Sequence, residues 1–544
     1  MTKLIHKPVF WLFVVACLML FPHLDVIEVN IMEARNFITA REMVTNNHWI
    51  LTTLNDLPRY EKPPLPTWLT SFFGIIFGFD SIYGMRIPVA LITLLLVSGV
   101  YKFSEKLGLS KQQNFHNGLI LITSFYIYFA GRDNQWDMYT HSFMVISLLF
   151  LWNLLNDSKK PLFNSLMAGL FFGFSFLSKG PISVYALLLP FLIAYGFTYK
   201  FHLKGKKRYL LLILVLGIII GLSWPLYVKW IDPETYLKVT KTESSRWGNY
   251  NTKPFYYYWS FFTQSGIWTI PAFIALLYPY LKNKVSNMKA YQFTLLWTLG
   301  SLVLLSIVPE KKARYLLPVL IPMALNTGFY IEYLVHNFKN IIQKKEKGIV
   351  YFAFGLIGLV CIAIPIGVFI KVKNDIAGFE FWLLGLTLSL FTIGYFLFKN
   401  LKNKNFLKVF YSVIAVQIAV VVFGIPFTKL ILKNPEYADA KAIREKEKNL
   451  GIRTYELNSF TPEIIWDYGS SIPILLDEKT NKLNLPSENK FGLLVPETDS
   501  VTFKKELKNY TFVKASYIDM NRISRESRKH NDRLTRIFYI VTKK

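Results

Sequence analysis

Apolar stretches long enough to cross a lipid bilayer recur along most of this chain, and they constrain its fold more than any other feature. A helix needs about 20 apolar residues to span a hydrocarbon core about 30 Å thick. Hydrophobic residues make up 52% of the 544 residues and aromatic residues 17%, so the composition is not that of a soluble domain. The sequence predicts a polytopic α-helical membrane protein with about thirteen transmembrane helices. The predicted spans are residues 8–24, 83–103, 118–130, 138–155, 162–177, 182–199, 209–230, 267–281, 291–308, 315–335, 349–370, 379–398 and 406–432.

Lysine and arginine are concentrated in every second loop between these spans, as the positive-inside rule requires when the N-terminus is cytoplasmic. The basic loops are residues 102–111, 159–160, 200–208, 282–289, 339–347 and 399–408. The alternate loops mix acids, bases, Asn and Trp and are predicted to face the outside; they are residues 28–66, 132–137, 230–266 and 310–314. Most of the net charge of +27 lies in the membrane part. It therefore reflects topology and contact with anionic membrane lipids, and nucleic-acid binding is not needed to explain it.

The same alternation divides the chain into two predicted domains. Residues 1–432 form a transmembrane domain that includes outer-face loops at 25–82 and 231–266, and residues 433–544 form a C-terminal domain outside the membrane. Short apolar runs in the tail predict strands, and the polar window at 500–508 predicts a helix. We therefore expect a small extracytoplasmic α/β domain.

The N-terminal segment also resembles a signal peptide, with Lys3 and Lys7 before an apolar run. The run continues past Cys17 without a clear small-residue cleavage site, which favours an uncleaved first span. Cys17 and Cys361 are the only cysteines, and both lie in predicted spans. They cannot form a disulfide framework or a cysteine-based zinc site.

The first predicted outer loop carries many charges of both signs, beginning with Glu28 and Glu33. Residues 31–44 alternate apolar and charged side chains at helical spacing, which predicts an amphipathic helix in the membrane interface. Glu33 and Arg35 lie on that helix. Two interpretations remain open: the acids take part in chemistry at the membrane surface, or the charges form an ordinary solvated face.

The end of the same loop reads Tyr60-Glu61-Lys62-Pro63-Pro64. Two consecutive prolines hold the backbone extended, so Glu61 and Lys62 are fixed just before an apolar stretch. Such a pair suits the binding of a phosphate. The alternative is a stop signal ahead of a helix, with Lys62 extending to lipid headgroups.

Further charges lie at the predicted outer ends of the spans. Asp137 begins the fourth span, where a carboxylate either marks a functional site or stabilises the helix dipole. Arg132, Lys179, Lys312 and Arg314 place cations on the same side. Because topology disfavours cations in short outer loops, these residues indicate an anionic ligand.

An ordered set of motifs resembles the aminoarabinose transferase family, which is related to the protein O-mannosyltransferases among the polytopic glycosyltransferases of GT-C type. The resemblance covers residues 8–330, and its most specific elements are Glu-Lys-Pro-Pro and Lys-Gly-Pro. The motifs are Met32-Glu33-Ala34-Arg35, Ala40-Arg41-Glu42-Met43, Glu61-Lys62-Pro63-Pro64, Arg86-Ile87-Pro88, Arg132 with Asp137-Met138, Ser178-Lys179-Gly180-Pro181, Lys253-Pro254-Phe255-Tyr256-Tyr257-Tyr258 and Arg314-Tyr315-Leu316-Leu317-Pro318.

The resemblance implies an inverting glycosyltransferase of the bacterial inner membrane. Its donor would be a polyprenyl-phosphate-linked sugar, and its acceptor lipid A, another envelope glycan or a protein on the outer face. The cations are expected to stabilise the departing lipid phosphate, and a carboxylate to orient or deprotonate the acceptor. The expected donor-phosphate residues are Lys62, Arg132, Lys179, Lys312 and Arg314; the expected catalytic residues are Glu33, Asp137 and Glu28; the expected substrate-binding residues are Arg35, Glu61, Tyr60 and Tyr315.

Two positions depart from the family pattern. Relatives carry Asp-Glu where this chain has Met32-Glu33, so either Glu33 acts alone or Glu28 compensates from the same helical face. Some relatives also carry a His before the Pro-aromatic run, where this chain has Asn251. A divalent metal near Glu61 is therefore unsupported, and no other cofactor is implied.

Two other classes of membrane protein remain as alternatives. An O-antigen ligase or polymerase would share the lipid-linked donor and the outer-face site. A transporter or flippase of lipid-linked sugars would also be polytopic and basic, but should carry ionisable residues at mid-membrane and paired halves.

Overall fold

The computed structural model describes residues 7–157, 159–477, 480, 482–499, 503, 507 and 509–544. The predicted helix at 500–508 lies largely outside them. The helices, in chain order, are α1 (Pro8–Leu20), α2 (Ile31–Thr45), α3 (Leu65–Phe77), α4 (Ile82–Lys106), α5 (Lys111–Thr123), α6 (Phe125–Ala130), α7 (Trp136–Asn156), α8 (Pro161–Lys179), α9 (Leu189–Thr198), α10 (Lys207–Ile231), α11 (Pro233–Asn249), α12 (Thr269–Ala275), α13 (Tyr278–Leu281), α14 (Met288–Ile307), α15 (Leu317–Asn337), α16 (Lys344–Val372), α17 (Glu380–Lys402), α18 (Phe406–Ala419), α19 (Thr428–Ile431), α20 (Lys441–Leu450) and α21 (Pro462–Tyr468).

The strands lie in two parts of the chain. They are β1 (Thr53–Leu54), β2 (Leu57–Pro58), β3 (Thr454–Glu456), β4 (Leu476–Asp477), β5 (Lys482–Leu483), β6 (Lys490–Val495), β7 (Tyr510–Asp519) and β8 (Thr535–Lys543). β1 and β2 form a hairpin, β4 pairs with β5, and the other four strands form a sheet of order β3-β6-β8-β7.

Two compact units make up the described chain. The first unit contains the residues up to Leu24, Tyr60–Pro66 and Arg86–Phe427. The second unit contains Asp25–Arg59, Thr67–Met85 and Thr428–Lys544. The predicted domain boundary near residue 432 stays a prediction.

Within the described residues, eight helices are long and apolar enough to cross a membrane. They are Ile82–Lys106, Trp136–Asn156, Pro161–Lys179, Lys207–Ile231, Met288–Ile307, Lys344–Val372, Glu380–Lys402 and Phe406–Ile431. Shorter apolar helices lie at Pro8–Leu20, Leu65–Phe77 and Val184–Thr198. The chain is therefore a polytopic, mostly helical membrane protein, as predicted, while the number of about thirteen spans stays a prediction.

In the first unit, α8 and α10 approach each other through two glycine pairs. The sequences Gly169-Leu-Phe-Phe-Gly173 and Gly217-Ile-Ile-Ile-Gly221 are both of the Gly-x-x-x-Gly type, which lets membrane helices pack backbone to backbone. A Cβ on Gly173 would lie 2.5 Å from the Cβ of Ile220, and one on Gly217 would lie 2.1 Å from the Phe172 ring. This close packing fixes the position of α8, whose last residue is Lys179.

In the second unit, α2 has the predicted bounds within one residue but is buried rather than solvated. Asn36, Phe37, Thr39 and Glu42 are all at most 3% exposed. The Glu42 carboxylate accepts hydrogen bonds from the Thr53 hydroxyl at 2.6 Å and from the backbone of the β1–β2 turn, and burial raises its pKa. The interpretation as an ordinary solvated face, one of the two left open, was therefore wrong, because Glu33, Arg41 and Glu42 of α2 are buried.

The four-stranded sheet separates two apolar clusters. Alternate residues of a strand point to opposite faces, so Phe538 of β8 joins one cluster and Tyr539 joins the other. The first cluster also includes residues of α2 and α21, with the Phe37 and Trp466 rings 5.7 Å apart. The Arg41 guanidinium donates to the Trp466 and Ile465 carbonyls at the end of α21, which adds a polar contact at that helix end.

Candidate functional site

The two units divide the predicted site residues between them. The first unit contains Tyr60, Glu61, Lys62, Arg132, Asp137, Lys179, Lys312, Arg314 and Tyr315, and the second contains Glu28, Glu33 and Arg35. Each set is described within its own unit.

Lys179 and Asp137 form an ion pair at the ends of two neighbouring membrane helices. Asp137 lies in the first turn of α7, and Lys179 is the last residue of α8. Gly180 ends α8 with a φ of +77° and donates its N–H to the Phe176 carbonyl at 2.7 Å. Only glycine adopts this conformation without strain, so the Lys-Gly-Pro motif stops the helix where the ammonium reaches Asp137. The Lys179 and Asp137 side chains are 10% and 12% exposed.

Three cations surround the ring of Tyr315. The Lys179 and Lys312 ammonium nitrogens lie 5.4 and 5.6 Å from the ring centroid, and the Arg314 guanidinium carbon 5.7 Å. Each distance is within the range of a cation–π contact. Tyr315 and Arg314 belong to a single 3₁₀ turn, Ala313–Leu316, directly before α15. The structure thus brings together residues that are up to 136 positions apart in the sequence.

Glu310 holds this cluster from the other side. Its Oε1 accepts from the Tyr315 hydroxyl at 3.0 Å and from the Lys312 ammonium at 2.6 Å. Burial and the charge of Glu310 raise the pKa of Tyr315 above its usual range, so the hydroxyl keeps its proton and donates. The role of Glu310 could not be predicted, because nothing in the linear sequence pairs it with Tyr315.

Hydrogen bonds between residues 251–253 and 309–311, called the clasp below, fix the loop that carries these cations. Lys253 N–H donates to the Pro309 carbonyl at 3.1 Å, and the Asn251 amide donates to the Lys311 carbonyl at 2.9 Å. The Lys311 ammonium is buried and donates to the Lys253 and Val308 carbonyls. Burial lowers the pKa of this ammonium. Lys311 therefore has a structural role, whereas Lys312 faces Tyr315.

Two buried nitrogens near the ion pair have no hydrogen-bond partner within the described residues: Nε of Arg314 and Nδ1 of His141. His141 lies one helical turn after Asp137, and the Arg314 guanidinium acts on Asp137 electrostatically. An unpaired polar group inside a protein costs about 1–3 kcal/mol. The cluster thus retains capacity to bind a further polar or anionic group.

Lys62 is near this cluster but is paired with an acid of α11. Its ammonium lies 3.4 Å from Oε2 of Glu243, whose other oxygen binds Arg246 at 2.7 Å. Lys62 also lies near enough to Lys179 to repel it. With 23% of its side chain exposed, Lys62 can approach an anion shared with Lys179.

Tyr60 makes a separate contact. Its hydroxyl donates to Asp232 at 3.1 Å, and its ring lies 6.4 Å from that of Trp224. Burial and Asp232 raise the pKa of Tyr60 to about 12. Glu61, the next residue, is exposed.

Arg132 is used differently from the expectation. Its guanidinium donates to four backbone carbonyls at 2.6–3.1 Å. Two of them, Met19 and Leu20, belong to the last turn of α1, and the other two, Pro22 and His23, follow it. Only 5% of Arg132 is exposed. A guanidinium that caps a helix in this way holds the fold, so its role in phosphate binding stays a prediction that this geometry does not favour.

In the second unit, Glu33 lies in the first turn of α2. The Asn30 side chain caps the helix by accepting from the backbone N–H groups of Met32 and Glu33 at 2.9 and 3.3 Å, and its amide lies 3.4 Å from the Glu33 carboxylate. Glu33 is fully buried. Arg35 also lies on α2. Its Nε is buried and has no hydrogen-bond partner within the described residues.

Glu28 does not share a helical face with Glu33, because α2 begins only at Ile31. That part of the compensation hypothesis was wrong. Glu28 instead forms an ion pair with Arg522 at 2.6 Å, and the Arg522 guanidinium lies 3.7 Å from the centroid of the Tyr437 ring. Both charged side chains are more than a third exposed.

Within the described residues, no group of three or more His, Cys, Asp or Glu side chains is arranged to hold a metal ion. Asn251 binds the Lys311 carbonyl, and Glu61 is exposed. A divalent metal near Glu61 therefore stays without support.

Comparison with known proteins supports the resemblance. Residues 61–224 match the family model described as dolichyl-phosphate-mannose-protein mannosyltransferase. The chain is 25% identical over 371 residues to undecaprenyl phosphate-alpha-4-amino-4-deoxy-L-arabinose arabinosyl transferase 1 of Proteus mirabilis, covering 64% of this chain and 65% of that protein. The arabinosyl transferase 2 of the same description from Pseudomonas fluorescens is 25% identical over 307 residues, which cover 54% of this chain and 51% of that protein. The chain thus spans less than two thirds of these relatives.

Solved structures share the fold over almost the whole chain. ArnT from Cupriavidus metallidurans bound to undecaprenyl phosphate aligns with a TM-score of 0.67 at 14% identity, covering 98% of this chain and 97% of that one. The archaeal oligosaccharyltransferase AglB from Archaeoglobus fulgidus aligns with a TM-score of 0.50 at 10% identity, over 92% and 70% of the two chains. The similarity to aminoarabinose transferases predicted from the motifs is confirmed.

Proposed function

We propose that this protein is an inner-membrane glycosyltransferase that transfers a sugar from a polyprenyl-phosphate donor to an envelope acceptor. The observation that carries the proposal is the cluster of Lys179, Lys312 and Arg314 around Tyr315, with Asp137 paired to Lys179 at the mouth of two membrane helices. A fold shared with ArnT, solved with undecaprenyl phosphate, supports it.

The cations act on the leaving group. When the bond between the anomeric carbon and the phosphate oxygen breaks, negative charge accumulates on the lipid phosphate. Ammonium and guanidinium groups already in place stabilise that charge more in the transition state than in the ground state. Lys179 supplies N–H groups beyond the one engaged by Asp137, Arg314 supplies its unpaired Nε, and Lys62 and Lys312 add positive charge.

A carboxylate deprotonates or orients the acceptor hydroxyl as it attacks from the face opposite the phosphate, which inverts the anomeric configuration. Asp137 is one candidate. Because it is paired with Lys179, its carboxylate can reach the acceptor only when the bound donor has weakened that pair. A bound phosphate competes for the Lys179 ammonium and loosens the pair, so the donor binds before the acceptor. Glu33 is the second candidate, from the second unit.

The topology belongs to the same proposal. The chain crosses the membrane about thirteen times, the N-terminus is cytoplasmic, and the outer-face loops are residues 25–82 and 231–266. Residues 433–544 form an extracytoplasmic α/β domain in the periplasm. The alternation of basic loops supports this orientation.

The experiment is a transfer assay on purified protein in detergent. The protein is incubated separately with undecaprenyl-phosphate sugars, 4-amino-4-deoxy-L-arabinose among them, and with an undecaprenyl-diphosphate sugar, together with lipid A. Release of undecaprenyl phosphate with a new lipid A glycoform supports the proposal. Release of undecaprenyl diphosphate would indicate a ligase, and movement of an intact donor across proteoliposomes without either product would indicate a flippase.

The acceptor is found separately. Mass spectrometry of lipid A, surface glycans and envelope proteins from a deletion strain shows which of them loses a sugar. Complementation with the wild-type gene should restore the sugar, and complementation with a Lys179→Met variant should not.

A further inference from the structure

A groove of about 340 Å³ lies between α17 and α18, close to the short loop that joins them. Its lining is apolar at Phe396 and Ala415 and polar at Asn400, Lys408 and Ser412. Asn400 and Lys408 lie at the end nearest the loop, the polar end. Asn400 lies in the last turn of α17 and Lys408 in the first turn of α18. From Asn400 the groove extends about 10 Å toward the middle of the span, as judged by the helical rise to Ile393.

Lys408 lines the polar end of this groove, and Lys399, Lys402 and Lys404 lie nearby in the sequence, at the end of α17 and in the loop. None of them has a carboxylate partner within the described residues. Lys408 is exposed, so its ammonium is available to a ligand. The combination of an apolar channel with unneutralised positive charge at one end matches an amphipathic anion.

Neutral hydrogen-bonding groups complete the polar end. The Asn400 amide donates to the Phe396 carbonyl at 2.7 Å, and the Ser412 hydroxyl donates to the Lys408 carbonyl at 2.8 Å. Their own side-chain oxygens can still accept hydrogen bonds. A headgroup that carries hydroxyl donors next to a phosphate would satisfy both the ammonium and these acceptors.

We propose that the groove is a binding site for an anionic glycerophospholipid of the phosphatidylglycerol type. One acyl chain lies along Phe396 and Ala415, the phosphate binds Lys408, and the glycerol hydroxyls donate to Asn400 or Ser412. The volume is at the lower end of the range for small-molecule sites, about 300–1,000 Å³, so it accepts a single chain and excludes a helix.

This site is distinct from the proposed donor site. Tyr411, which also lines the groove, has its hydroxyl 3.3 Å from His116, and His116 lies 3.6 Å from Glu332. Glu332 is near the far end of α15, which begins just after Tyr315. The rise along α15 separates the two regions by more than about 20 Å, so the lipid site does not depend on the proposed function.

The test is native mass spectrometry of the full-length protein, delipidated in detergent and then given equimolar phosphatidylglycerol and phosphatidylcholine. Wild type should retain the anionic lipid about fivefold over the neutral one, the effect expected for one lysine at a membrane surface. Lys408→Gln should lower the ratio of retained phosphatidylglycerol to phosphatidylcholine about fivefold, so that both lipids are retained equally. Ala415→Trp fills the groove and should abolish the retention of both lipids. Lys106→Gln removes an exposed lysine from the last turn of α4 and is the matched control.

Equal retention of both lipids by wild type would overturn the proposal, as would equal losses in Lys408→Gln and Lys106→Gln, since diffuse surface charge would then explain the preference. Displacement of phosphatidylglycerol by equimolar undecaprenyl phosphate from wild type would assign the groove to a polyprenyl chain instead. Lys408→Gln is an exposed surface change, so folding is retained even if Ala415→Trp misfolds.

Discussion

Replacing Lys179 by methionine removes its ammonium group while keeping the length of the side chain, and this separates the structural from the functional role of the ion pair. Loss of one partner of a buried pair costs about 3–5 kcal/mol because the other charge is left uncompensated. The Arg314 guanidinium also acts on Asp137, so we expect the lower end, about 3 kcal/mol. Loss of one cation at the leaving group should lower the transfer rate by about 10²–10³-fold.

The double variant Asp137→Asn with Lys179→Met tests both parts together. With both charges gone, the cost of an unpaired carboxylate disappears, so stability should return to within about 1 kcal/mol of wild type. The transfer rate should stay low, because the phosphate still lacks its cation. Stability is measured by SDS titration in mixed micelles with tryptophan fluorescence, and transfer by the release of polyprenyl phosphate.

Two outcomes would refute this reasoning. A Lys179→Met protein with near-normal transfer would remove Lys179 from the donor site. A double variant as unstable as Lys179→Met alone would show that the methionine itself disturbs the packing of α8. The loss of transfer in Lys179→Met would then be explained by misfolding and would say nothing about phosphate binding.

The remaining predictions concern four other residues. Lys62→Ala should lower transfer by at least about tenfold and leave the thermal transition unchanged, because the side chain is partly exposed; normal transfer would exclude it from the site. Arg132→Ala should instead destabilise the protein by about 3 kcal/mol through four unpaired carbonyls, seen as a lower unfolding midpoint in the same SDS titration. Glu28→Gln should leave transfer unchanged, since Glu28 pairs with an exposed arginine; a large loss of rate would contradict this. Burial, opposed by Arg536, raises the pKa of Glu456 from 4.5 to about 7. Folded protein therefore keeps a proton that unfolded protein has lost, and stability should fall by about 3 kcal/mol as pH rises from 4.5 to 7; Glu456→Gln should abolish this slope in thermal unfolding scans.

Most of the membrane architecture could be predicted from the sequence because apolar length is a local property. The predicted span at 83–103 lies inside helix Ile82–Lys106, and that at 138–155 inside helix Trp136–Asn156. Residues 118–130 were predicted as one span but form the end of α5 and the separate short helix α6. Ser124 at their junction has an extended backbone, and its hydroxyl binds the Ile120 carbonyl, a break that hydropathy does not report.

The candidate site was predictable as a list of residues but not as a set of contacts. Cations at the outer ends of spans stood out because they contradict the positive-inside tendency, and this identified Lys179, Lys312 and Arg314. Their arrangement around Tyr315 depends on the packing of α8 and α10 and on the clasp near Asn251, which are long-range contacts. For the same reason the sequence did not predict that Glu310 pairs with Lys312 and Glu243 with Lys62.

Arg132 and Lys179 show why identical signals in a sequence lead to different roles. Both are cations at the ends of membrane helices, and both are at least largely buried. The guanidinium presents a rigid fork of donors that suits several backbone carbonyls at once, and Arg132 uses it to bind four of them around the end of α1. The ammonium of Lys179 has three donors and, within the described residues, one hydrogen-bond acceptor, Asp137. A lysine with donors to spare can exchange a carboxylate for a phosphate without breaking the fold, whereas an arginine that caps a helix cannot.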